Sequence, residues 1–164
     1  MNTTKKICYL AVLTALYVVL SAFLKFTLIG NIQVDLGYIA FAFALCEFSV
    51  YGVFVGVIGC SLESVLFSAY GFSISWAVAN AFIGLGCGIF FSMSKKVWFR
   101  SAITILFVAM GVLCAKTIIE CSLYSIPYSV KIPKNAVAFA ADSVVMIMGV
   151  ILHKSIKNKR MVMF

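Results

Sequence analysis

Charge is what this sequence has least of. Only 11% of its 164 residues are charged, five are acidic, two are prolines and one is a histidine. A soluble domain of this length needs far more polar surface to cover its core. The chain also lacks the motifs that announce common chemistries. There is no G-x-x-x-x-G-K-[ST] loop for nucleotide phosphates, no G-x-S-x-G and no H-E-x-x-H. Of the six cysteines (Cys8, Cys46, Cys60, Cys87, Cys114, Cys121), no two form a C-x-x-C pair and nearly all lie in apolar runs. Cysteine buries readily, so packing accounts for them better than a metal centre or a disulfide framework. No enzyme, cofactor or metal is expected. What remains is 64% hydrophobic, with a mean hydropathy of +1.13. Only an integral membrane protein fits.

The net charge of +8 does not point to nucleic acid, because the basic residues sit at the ends and connections of apolar runs. Lys5 and Lys6 before the first run could mimic a signal peptide. That run is long, no small-residue cleavage site follows, and further runs come after it. Crossing the hydrocarbon takes about 20 helical residues. The pattern predicts an all-α membrane protein: a single domain over 1–164, a compact bundle of six transmembrane helices. The first is Ile7–Phe26. The region Leu36–Tyr70 is too long for one span and is broken near Tyr51-Gly52, giving two. A fourth runs from after Ser73 to Met93, a fifth from Ser101 to Tyr124, and a sixth from Lys134 to His153 beyond the Pro127–Pro133 loop. Six spans place Lys5, Lys6, Lys95, Lys96, Arg100, Lys154, Lys157, Lys159 and Arg160 on the side of both termini. By the positive-inside rule that side is cytoplasmic. Lys25, Lys131 and Lys134 fall near the other surface.

Ionisable residues inside such helices cost about 2.5–3.5 kcal/mol each at mid-membrane, so each needs a partner or a wet cavity. Five qualify: Glu47, Glu63, Lys116, Glu120 and Asp142. At about 1.5 Å of rise per residue, all but Glu47 fall in one outward layer. Lys116 and Glu120 are four apart and share a helix face with Tyr124. Asn135 and Asp142, seven apart, share another, and Ser73, Trp76, Asn80, Gly84 and Cys87 form a polar, small face on the fourth helix. These faces are expected to converge on one pocket made by Glu63, Asn80, Lys116, Glu120, Asn135 and Asp142. Tyr38, Trp76, Tyr124 and Tyr128 would ring it. Such a pocket suits a planar small molecule rich in hydrogen-bond donors. The alternative is mutual neutralisation between helices, which Lys116 with Glu120 would satisfy. It serves the set less well, since three carboxylates meet one lysine. Glu47 is better read as structural or as facing a partner subunit, and Trp76 as an interfacial anchor is the competing reading for that residue.

Cys8, Ala11, Ala15 and Ala22 lie close to one stripe of the first helix, and small residues four apart let another helix approach. The A-V-L-T-A segment, the cytoplasmic basic termini, Gly52-Val53-Phe54-Val55-Gly56 and the aromatic outer loops together resemble the S component of an energy-coupling factor (ECF) vitamin transporter. Gly37–Ala44 (G-Y-I-A-F-A-F-A) is similar to folate-binding members, from which Glu63 and the Lys116/Glu120 pair depart. The resemblance implies that Ala11 and Ala15 dock on the transmembrane T component. It also implies that two separate ATPase subunits supply energy and that the bundle reorients after capturing substrate. The Thr27–Gly37 loop is expected to close over the pocket. The excess of carboxylates favours a compact heteroaromatic vitamin or vitamin-like base with a cationic or amidine-bearing ring. Thiamine-like, pterin-like and queuosine-precursor-like compounds all qualify. The rival reading is a stand-alone proton-coupled carrier with Glu63 or Asp142 as relay.

Overall fold

In hydrocarbon every backbone N–H and C=O must be paired within its own segment, so long apolar runs fold as helices. The computed structural model describes residues 2–24, 26–28, 32–67 and 71–162. Helix α1 spans Thr3–Phe23 and leads into a short antiparallel hairpin, β1 (Phe26–Leu28) and β2 (Ile32–Val34). Then come α2 (Gly37–Phe48), a 3-10 turn at Ser49–Gly52, α3 (Val53–Phe67) and α4 (Ile74–Met93). Helix α5 (Val97–Val108) runs through a π-helical segment, Ala109–Lys116, into α6 (Thr117–Tyr124), and α7 spans Tyr128–Val162.

Five helical stretches are long and apolar enough to cross a membrane: Thr3–Phe23, Gly37–Phe67, Ile74–Met93, Val97–Tyr124 and Tyr128–Lys159. Six were expected. The difference lies in α2 and α3, of 12 and 15 residues, which are each short of a full span and enter as one stretch. The break between them falls where the sequence places it. Ser49 takes φ +51°, and Gly52 lies so close to α2 that a Cβ there would be 2.6 Å from the Leu45 nitrogen. Gly56 lies against the Phe41 ring, so the two helices pack on one another. The hairpin occupies the expected Thr27–Gly37 loop. Its tip, residues 29–31, along with Lys25 and the expected helix end at Tyr70, lies outside the described residues.

The last helix departs most from expectation. It starts at Tyr128, before Pro133, rather than at Lys134. Pro133 falls in the second turn, where its missing N–H leaves the Ser129 carbonyl without its helical bond, yet the helix continues through it. The added turns carry Lys131 to the Glu120 carboxylate, 3.1 Å away. Arg100, expected in the cytoplasmic charge cluster, is instead 8% exposed and donates to the Ser94 and Phe91 carbonyls at 2.9 and 3.0 Å. It thereby satisfies carbonyls at the end of α4 that the helix leaves open.

Helix α2 is the centre of the bundle, with Tyr38, Ala40, Phe41, Ala42, Ala44 and Leu45 all buried, and it packs against α1, α3, α4 and α7. Helix α1 is its opposite. Only 11% of its span is buried, against 33–50% for the others, and Ala11 and Ala15 are exposed.

Candidate functional site

Five helices and the turn before α2 bring polar side chains to one cavity of about 450 Å³, measured to its open mouth. Tyr17 comes from α1 and Asp35 from the turn. Tyr38 comes from α2, Cys60, Glu63 and Ser64 from α3, Trp76 from α4 and Asp142 from α7. Among the described residues its charged lining side chains are Asp35, Glu63 and Asp142, all acidic, with no lysine or arginine.

Each wall has its own support. The Tyr38 hydroxyl donates to Asn80 Oδ1 at 2.8 Å, and Asn80 Nδ2 donates to the Gly56 carbonyl at 3.4 Å. Asn80 is fully buried and holds Tyr38 from behind rather than lining the cavity. Asp35 accepts from Ser21 Oγ (2.5 Å), the Gly37 N–H (2.7 Å) and the Tyr17 hydroxyl (3.1 Å). These bonds pin α1 to the start of α2. Burial pushes the Asp35 carboxyl above its ordinary range, while the three donors pull the other way. Gly37 has no room for a side chain, because a Cβ would run into Ser21 Oγ.

Asp142 is different. It is 2% exposed, and among the described residues its Oδ2 has no hydrogen-bond partner. A buried carboxylate oxygen left unmatched is expensive, and this one belongs to a side chain that lines the cavity. Glu63, 8% exposed, lines it as well.

Lys116, Glu120 and Asn135 are brought together as the sequence suggested, but none of them lines the cavity. They form a second cluster. Lys116 Nζ donates to Asn135 Oδ1 at 2.9 Å, sits 3.8 Å from Glu120 Oε1 and lies 3.8 Å from the centroid of the Trp76 ring. Asn135 Nδ2 donates to Thr117 Oγ1 at 2.8 Å and to Glu120 Oε2 at 3.5 Å, and Ser75 Oγ donates to Glu120 Oε1 at 3.4 Å. Lys131 completes the cluster, so the acidic layer meets two lysines rather than one. Tyr124 and Tyr128 point outward, 56% and 52% exposed. The aromatic wall is Tyr17, Tyr38 and Trp76 instead. Glu47 lies apart from the cavity and meets His153 and Lys157 at 3.0 and 3.8 Å.

Tyr17 and Asp35 were not anticipated. Asp35 lies outside every apolar run, so a search for charges within spans passes over it. Its position two residues before Gly37 at a helix start was the available signal, as was the i, i+4 spacing of Tyr17 and Ser21.

The profile of the family described as ECF-type riboflavin transporter, S component, matches residues 1–157. The chain belongs to that family. This S component also shares its fold with a crystal structure of the S component for biotin from an ECF-type ABC transporter, at 18% identity and a TM-score of 0.67. The alignment covers 96% of this chain and 95% of that one. At that identity the likeness speaks to the fold alone. The chain is thus a membrane-integral transporter subunit and not an enzyme.

Proposed function

We propose that this S component captures a small heteroaromatic vitamin or vitamin-like base in the outward-opening cavity of Tyr17, Tyr38, Glu63, Trp76 and Asp142. It hands the substrate on by docking against a T component that carries two ATPase subunits. The reading is carried by Asp142, whose unmatched carboxylate oxygen borders an aromatic, acidic cavity and calls for a donor from a bound molecule. Riboflavin, named in the family description, has a planar ring with an imide N–H and a chain of hydroxyls, all donors that carboxylates accept. Asn80 sets Tyr38, while Lys116, Glu120 and Asn135 form the bed beneath Trp76. The hairpin of β1 and β2 closes the mouth. In the membrane, α2 and α3 act as separate legs, giving six crossings with both termini in the bacterial cytoplasm. The exposed Ala11/Ala15 face of α1 is the docking surface.

The test is isothermal titration of the purified protein against riboflavin, thiamine, a pterin, a queuosine precursor and biotin. Saturable binding of a donor-rich heteroaromatic is expected. Biotin should bind weakly, because its carboxylate would face three others with no lysine or arginine among the described residues of the wall. Preference for an anionic ligand would overturn the reading. The same unmatched carboxylate would also serve a proton-coupled carrier acting alone. That second reading requires uptake driven by a pH gradient in vesicles holding this chain and no ATPase.

A further inference from the structure

Trp76 has two neighbourhoods. It lines the cavity, and Lys116, 5% exposed and absent from the lining, holds its ammonium 3.8 Å from the ring centroid. The ammonium is fixed there by Asn135 and Glu120. With Lys131 also on Glu120, the cluster behind the ring carries two cations and one anion. We infer that Lys116 is a positioning and specificity residue that acts through Trp76. It steers the cavity to place a neutral ring against the indole and disfavours a cationic one there.

The physical reason is that the indole's negative face is shared. A cation on one side draws on the same ring quadrupole that would attract a cation on the other. A charge stacked on the cavity side would also lie only about two stacking distances from Lys116, close enough for direct repulsion. A neutral ring suffers neither effect. Any positive charge on the substrate is then placed toward Glu63 and Asp142, away from Trp76. The carboxylate excess that favoured a cationic ring therefore selects for donors at one wall only. This inference rests on the cavity being the substrate site, but its test needs no vitamin.

In a Trp98→Phe background Trp76 is the sole tryptophan. Its fluorescence is quenched by neutral acrylamide and by cationic N-methylpyridinium, and the ratio of the two quenching constants is measured. Lys116→Met is expected to raise pyridinium quenching relative to acrylamide several-fold, while Lys116→Arg keeps the original ratio. A purely structural role would loosen the site and raise both constants together. Should Lys116→Met fail to purify, Lys116→Gln removes the cation while still offering a donor to Asn135, and Glu120 keeps Lys131 as its partner. An unchanged ratio in the charge-removing variant overturns the inference. Failure of every vitamin to bind would overturn the proposed function and leave this ratio to be read on its own.

Discussion

At the scale of single residues, two aspartates near the cavity do opposite work. Asp35 is saturated by Ser21, Tyr17 and the Gly37 N–H, so it holds the protein together. Asp35→Ala strands those donors and is expected to destabilise by about 2–3 kcal/mol, read as a lowered melting temperature in detergent. Asp142 has an oxygen with no partner among the described residues. Asp142→Asn removes a buried charge and is expected to leave the melting temperature unchanged or raised. The affinity for substrate should fall by about 10–100-fold, the value of a charged hydrogen bond of about 1.5–3 kcal/mol. A titration showing undiminished affinity would separate Asp142 from binding.

At the scale of elements, close approach is the recurring device. Gly52 meets the backbone of Leu45 and Ala44, Gly56 the Phe41 ring, and Gly88 the backbone of Val50. Backbone cannot swing aside as a side chain can. Gly52→Ala is therefore expected to force α3 away from α2 and to destabilise by about 1–3 kcal/mol. Gly71, with φ +72° and open space around a Cβ, is strained by substitution only through its backbone. A thermal-shift comparison of the two alanine variants separates steric from conformational effects. The π-helical segment is a second device: it ends at Lys116, and Thr117 Oγ1 donates to the Val112 carbonyl five residues back. Such wide turns often occur at functional sites, and here one delivers the only cation that touches Trp76 among the described contacts.

At the scale of the whole molecule, α1 is unlike every other span. It is apolar yet barely buried, and its exposed stripe includes Ala11 and Ala15. Lipid can cover such a face, but small side chains four apart also admit a partner helix. Ala11→Trp and Ala15→Trp are expected to leave substrate affinity within about twofold and to abolish uptake in cells supplying the T component and ATPases. Transport assays paired with titration decide this. If affinity and uptake fall together, the docking assignment fails.

The run lengths and the placement of charge were enough to specify a helical membrane protein, because backbone pairing in lipid permits little else. They located the α2–α3 break and the ends of α4, where glycine and polar residues interrupt apolar runs. They also identified Glu63 and Asp142 as costly charges that need a reason. Which side chains share a cavity was beyond them. Helix periodicity gives a residue's face, but not the rotation of that face against neighbours or the shift a π segment introduces. Lys116, Glu120 and Asn135 therefore read as pocket residues, yet they pack behind Trp76. Asp35, outside any span, reaches the cavity only because Ser21, Tyr17 and Gly37 converge on it. Charge in lipid announces itself residue by residue, whereas a cavity exists only where packed helices fail to touch.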